Sequence, residues 1–136
     1  HALLPPMLED EKIEAILKQI ANNWKSHFTI SFKSHNPKNI SFNFEAKIHL
    51  TRIFQELIQN IYKHAQATEV TIKILIHEKH LEFIVIDNGI GFDGGKDKKG
   101  LGLKNINSRA QQLQATYSFK TNKPENGTVF TLTYYY

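Results

Sequence analysis

Cysteine is absent from all 136 residues. That excludes disulfide frameworks, cysteine-ligated zinc and thiol nucleophiles, and it fits a reducing compartment. Long apolar runs are missing as well: no stretch approaches the ~20 residues that cross a bilayer. The opening HALLPPMLEDEK lacks the basic-then-apolar order of a leader peptide. Neither sign of charge dominates, with 17 basic against 13 acidic residues giving +4. No basic arm collects that excess, so the composition permits an anionic ligand without arguing for nucleic acid. Repeats and low-complexity linkers are also absent. What remains is 40% apolar and 22% charged, enough for a real core in a chain whose length fits one domain.

Glycine is scarce except in one place. Of seven glycines, Gly89, Gly91, Gly94, Gly95, Gly100 and Gly102 fall within VIDNGIGFDGGKDKKGLGL, residues 85–103, leaving only Gly127 elsewhere. An apolar strand runs into Asp87, and Lys96, Lys98, Lys99 and Lys104 lie in or beside the window.

Around that window the pattern predicts alternating elements. Residues 8–24 read as an amphipathic helix carrying Ile13, Ile16, Leu17, Ile20 and Trp24. HFTISFKS alternates like a half-buried strand, NPKN is a turn, and ISFNF suggests a second short strand. From residue 45 to about residue 65 the period becomes helical, with Leu50, Ile53, Phe54, Leu57, Ile58 and Ile61 in one stripe. EVTIKILIH and LEFIVID follow as a hairpin, residues 103–113 as a helix, and TYSFKT and TVFTLTYYY as a closing hairpin. The expectation is an α+β fold, a two-layer α/β sandwich with helices on one face of a mixed, mainly antiparallel sheet.

The window fails two phosphate-binding templates. A Walker loop requires lysine where Gly95 stands. Gly89, Gly91 and Gly94 match G-x-G-x-x-G, but a dinucleotide site needs a helix to open at once after a βαβ strand, and GKDKK follows instead. Two readings remain. One is a fixed turn at residues 87–91 and a second at 100–102, bracketing a flap, FDGGKDKK. The other is a solvated surface loop.

On the long helix, ~100° per residue places Glu56, Asn60, Lys63 and His64 within an arc of about 100°. A carboxylate, an amide, an ammonium and an imidazole on one face could hold a metal and phosphates. They could equally form a solvated face of i,i+4 neighbours.

Four segments together carry a family resemblance. ELIQNIYKHA resembles the N box, DNGIGFD the G1 box and GLGL the G2 box of Bergerat-fold (GHKL) ATPases, and NGTVFTLTY resembles their last Gly-Thr strand. The match runs in order over residues 44–134. KHA closing the N box, the short flap and NINSRAQQLQATYSF resemble sensor histidine kinases of the NarX/DesK type. Two departures stand out: Gln114 and Ala115 replace the usual glycines, and the chain ends TYYY without the customary proline.

The resemblance implies ATP and Mg²⁺ as ligands. It implies Asp87 at the adenine amine, supported by Gly89, Gly91 and Thr128, and Asn60 as the protein ligand of Mg²⁺. Lys63, His64, Phe92, Lys99, Gly100, Leu101, Gly102 and Leu103 would line the nucleotide, and Glu56 is a candidate base. The reaction implied is transfer of the γ-phosphoryl to a histidine on upstream dimerisation helices, with residues 1–8 as the linker from them. Residues 1–136 would then be a single cytoplasmic catalytic domain. Its partners would be those helices and a cognate response regulator, within a homodimer compatible with an inner-membrane anchor. Two alternatives stay open, a stand-alone serine kinase of the anti-sigma type and a non-catalytic nucleotide-binding module.

Overall fold

The computed structural model describes residues 9–91, 103–122 and 125–136. Helix α1 is Ile13–Asn23; a bend at Glu11 separates it from helical residues 9–10, in place of the one helix expected over 8–24. Its buried side chains, Ile13, Ile16, Leu17, Ile20 and Ala21, recur every three or four residues, the spacing that gives a helix one apolar face. Strand β1, Thr29–His35, follows.

The second short strand expected at ISFNF does not form. The Asn36 side chain takes both backbone groups of Ile40, accepting from its N–H and donating to its carbonyl, each at 2.9 Å. That leaves Ile40 nothing to offer a neighbouring strand. Asn43 then caps the next helix by accepting from the Ala46 N–H at 2.8 Å, a common way to satisfy an orphan amide at a helix start. Helix α2, Phe44–Asn60, therefore starts on the last residue of the segment read as a strand.

α2 buries Leu50, Ile53, Phe54, Leu57 and Ile58 against the sheet. It also buries Lys47, whose ammonium donates to the carbonyls of Glu9 (3.1 Å) and Glu11 (2.9 Å). Those carbonyls compensate the removal of a charge from water, and they tie the start of the described chain to α2. At Asn60 the helix changes character: Ile61–Ala65 is a π turn, ended by Gln66 at φ 54°. Its wider winding advances less per residue, so the α-helical wheel does not hold beyond Asn60.

Strands β2 (Glu69–Ile76) and β3 (His80–Asp87) alternate between buried positions and half-exposed or exposed ones. Helix α3, Leu103–Gln112, precedes β4 (Thr116–Thr121) and β5 (Thr128–Tyr135). The five strands lie in the order β1-β2-β3-β5-β4. β1 pairs parallel to β2, and every other pair is antiparallel. This is the expected mixed, mainly antiparallel sheet with helices on one face. Phe83 of β3 sits at its centre, edge-on to Phe54 of α2 at 5.6 Å and near Phe130 of β5 at 6.3 Å. All three rings are fully buried, each contributing about 1.5–3 kcal/mol of burial.

The departure at Gln114 has a structural counterpart: Gln114 adopts φ 55° in the turn after α3. A side chain in the left-handed region costs about 1–2 kcal/mol, whereas glycine sits there freely. Gln114→Gly is expected to raise stability by about 1 kcal/mol in urea denaturation; a lower midpoint would show that the glutamine side chain compensates the strain.

Candidate functional site

The end of β3 carries a buried acid. Strand alternation puts Asp87 on the same face as Leu81, Phe83 and Val85, the face covered by helices. Its residue is 5% exposed. One carboxylate oxygen, Oδ1, accepts from the Gly89 N–H at 2.8 Å. Burial pushes the carboxyl above its ordinary value of 3.8, while backbone N–H groups of Gly89 and Thr128 pull it partly back. Burial prevails, because two donors do not replace a full hydration shell.

Three backbone contacts fix this acid in place. Asp87 pairs with Val70 on one side and Thr128 on the other. The chain after it folds against the π turn: the Ile90 N–H donates to the Ala65 carbonyl at 2.8 Å. A Cβ on Gly89 would lie 2.1 Å from that same carbonyl oxygen, so only glycine fits. On the opposite side, a Cβ on Gly127 would lie 1.9 Å from the Asp87 carbonyl oxygen, and Gly127 itself stands at φ +113°. Gly91, at φ +90°, faces the Gly127 carbonyl.

Asn88 completes the corner. Its Oδ1 accepts from the N–H groups of Thr68 and Glu69, both at 2.9 Å, and its Nδ2 donates to the Thr68 hydroxyl. The amide thus continues the β2–β3 ladder past its last backbone pair.

The predicted residues divide into groups. Asp87, Gly89, Gly91 and Thr128 come together at the sheet end. The π turn brings the end of α2 beside them, through the Gly89–Ala65 contact. Asn60, half-buried, is the last residue of α2, and half-buried Glu56 lies one turn earlier. Lys63 and His64 lie within the π turn and are exposed. Leu103 opens α3. Phe92, Lys99, Gly100, Leu101 and Gly102 lie outside the described residues. Sequence reasoning missed Asn88, which directly follows the acid, and Gly127, which it noted only within the last-strand likeness.

Glu56 also lines a groove of about 600 Å³ between α2 and α3, with His49, Arg52, Gln59, Asn105 and Arg109 among its walls. The Arg109 guanidinium approaches His49 Nδ1 at 3.3 Å. Burial first, then Arg109, holds His49 below its ordinary range, with Glu45 opposing. Arg52 and Arg109 are the two cationic side chains in walls that are otherwise mostly neutral.

Gly127→Ala introduces a contact no backbone can accept without shifting, at a φ that side chains rarely adopt. The substitution is expected to cost about 2–4 kcal/mol in chemical denaturation, and an unchanged midpoint would contradict the packing described at Asp87.

The sequence profile described as histidine kinase-, DNA gyrase B- and HSP90-like ATPase matches residues 45–135. DegS of Brevibacillus brevis, a signal transduction histidine-protein kinase/phosphatase, is 33% identical over 124 residues, covering 89% of this chain and 32% of its own length. The chain thus spans about a third of that relative. The histidine kinase domain of the Erythrobacter litoralis EL346 blue-light activated kinase superposes with a TM-score of 0.72, at 16% identity, over 90% of this chain and 64% of its own. Full-length ShkA in complex with AMPPNP gives 0.71 at 18% identity, over 90% of this chain and 30% of its own. At such identities the structures establish a shared fold. The profile match reaches from the second residue of α2 into the last strand, so the chain belongs to the family of histidine kinase-, DNA gyrase B- and HSP90-like ATPases.

Proposed function

We propose that this chain is the ATP-binding catalytic domain of a two-component sensor histidine kinase, residues 1–8 being the remnant of a linker from upstream phosphoacceptor helices. The observation that carries the reading is the buried Asp87 carboxylate. An ionised carboxylate only accepts hydrogen bonds, at about four lone-pair positions. Backbone N–H groups of Gly89 and Thr128 donate to it, which leaves capacity for the exocyclic amine of adenine. Guanine presents a carbonyl at that position, and acceptor against acceptor leaves a buried charge unsatisfied. Adenine is therefore selected by chemistry rather than by size.

The triphosphate would run from that pocket along the end of α2. Asn60 offers a neutral amide oxygen, a hard donor suited to Mg²⁺ beside phosphate oxygens. Its place at the last turn of α2, immediately before the π turn whose Ala65 meets Gly89, fits that role. Bound Mg²⁺ would neutralise phosphate charge. Lys63 and His64, exposed on the π turn, would meet phosphates as mobile side chains, with Lys99, Gly100, Leu101, Gly102 and Leu103 from the glycine-rich window. A histidine nitrogen attacks the γ-phosphorus, the bond to the bridging oxygen breaks, and ADP leaves. Positioning and charge neutralisation supply most of the rate in such transfers. Glu56 faces the groove from which the acceptor would come, and is the candidate to take the proton.

DegS is itself named a histidine-protein kinase, which favours this reading over a serine kinase or a non-catalytic module. Among the described residues no helix is long and apolar enough to cross a membrane. This domain would act in the cytoplasm as part of a homodimeric kinase that signals to a response regulator, a full-length protein compatible with an inner-membrane anchor.

Calorimetric titration tests the adenine pocket. Wild type is expected to bind ATP at least tenfold more tightly than GTP, a difference of roughly 1.4 kcal/mol. Asp87→Asn should lose at least that factor for ATP. ATP affinity should hold near neutral pH and fall as the pH drops through the raised Asp87 value, because the protonated acid donates where the amine also donates. For stability the sign is opposite to that of a salt-bridged aspartate. With its folded pKa raised, Asp87 contributes stability that is present below the unfolded pKa and lost as pH rises through the folded one. Asp87→Asn should therefore not lower the unfolding midpoint at neutral pH. Unchanged ATP binding in Asp87→Asn would refute the adenine assignment.

A further inference from the structure

The opposite end of the β2–β3 hairpin carries a cluster that the nucleotide reading leaves unused. Strand alternation puts Thr71, Lys73 and Leu75 of β2 on the face away from the helices, and His77 continues that parity just past the strand. On β3 the same face receives His80, Glu82, Ile84 and Ile86. Leu75 pairs with Glu82 and Ile76 with Leu81, so the register sets His77 opposite His80, with Glu82 diagonal to the pair. The turn is closed by the His77 N–H donating to the His80 carbonyl at 2.8 Å. The terminal Tyr136 hydroxyl donates to the His77 carbonyl.

Three ligand-type atoms meet there. His77 Nε2 lies 3.0 Å from Glu82 Oε1, and His80 Nε2 lies 4.0 Å from the same oxygen. All three atoms fall within 4.8 Å of one another. The imidazole rings stack at 4.4 Å with 25° between their planes, so both Nε2 atoms face Glu82 together. Each side chain keeps 35–39% of its surface exposed, leaving an open approach for an ion and its water.

We propose that His77, His80 and Glu82 bind a transition-metal dication of the Zn²⁺ class. Two imidazoles and one carboxylate, with a fourth position open to water, form a recognised donor set for Zn²⁺. An ion held ~2.0–2.2 Å from each donor needs donors roughly 3–3.6 Å apart. The 3.0 Å pair meets that already, the 4.0 Å pair needs a few tenths of an ångström of side-chain rotation, and the two Nε2 atoms, within 4.8 Å of each other, must close by at most about 1–2 Å. Imidazole disfavours Mg²⁺, which prefers oxygen ligands, so this site and the proposed nucleotide site would select different ions. They are also far apart: seven residues of strand from His80 to Asp87 span about 23 Å. The bound ion would clamp the two strands across their turn and stabilise the native state by mass action.

Titration of the chain with ZnCl₂, followed by calorimetry and by NMR of the histidine rings, tests the proposal. The expected result is saturable binding of one Zn²⁺ per chain, with the His77 and His80 ring resonances shifting and Mg²⁺ at equal concentration leaving them unmoved. His80→Ala and Glu82→Gln, both on the exposed face, should each weaken binding by roughly tenfold or more. The wild-type ring resonances report the site even if a variant folds poorly. The absence of saturable binding, or binding that leaves those two rings silent, or affinity unaffected by both substitutions, would each overturn the proposal.

Discussion

The structure depends on holding a buried carboxylate at the open end of a sheet. An ionised group with 5% of its surface exposed loses solvation that its surroundings must replace. Here the replacement is mostly backbone: the Gly89 and Thr128 N–H groups donate to it. Both depend on close approaches that a Cβ would prevent, Gly89 against the Ala65 carbonyl and Gly127 against the Asp87 carbonyl. The corner is therefore assembled from three separate stretches, the π turn, the β3 end and the start of β5. Disturbing any one would leave the charge less well compensated.

That same corner explains why the long helix ends as it does. An α-helix continued past Asn60 would carry the Ala65 carbonyl elsewhere. The π turn spends an extra residue per winding and delivers that carbonyl to the Ile90 N–H. π turns of this kind are uncommon and frequently mark functional positions. The result ends α2 at half-buried Asn60, immediately before the π turn that meets the acid's corner through Ala65, and leaves Lys63 and His64 exposed. As proposed, one end of the hairpin takes a nucleotide and the other a softer ion. A two-residue periodicity separates the two faces, and the length of the strands separates the two ends.

Much of this was legible from residue order. Val70, Ile72, Ile74 and Ile76, answered by Leu81, Phe83 and Val85, announce a hairpin with one buried face, because a strand has only two sides. The stripe from Leu50 to Ile58 announces a helix for the same kind of reason. The motif likeness led to the family that the profile match establishes. What stayed hidden depends on partners distant in sequence or on geometry without a period. Nothing within IYKHA marks a π turn, and it ends on Gln66 in a conformation usually sought at glycine or asparagine. The false strand at ISFNF alternates correctly, and only the Asn36 amide, which occupies the Ile40 backbone, withdraws it. Gly127 looks like any hairpin-turn glycine until the Asp87 carbonyl is found where its Cβ would be. The parallel choice of β1 for β2 likewise has no local signal.

The central claim is that the acid corner and the end of the long helix border one nucleotide pocket. Backbone amide NMR during titration with a non-hydrolysable ATP analogue tests it most directly. The account predicts shifts at residues 87–91, at Thr128 and through residues 60–65, with the hairpin end at residues 77–82 silent. Shifts confined to the hairpin end or to the open face of the sheet, with Asp87 and Gly89 unmoved, would contradict it.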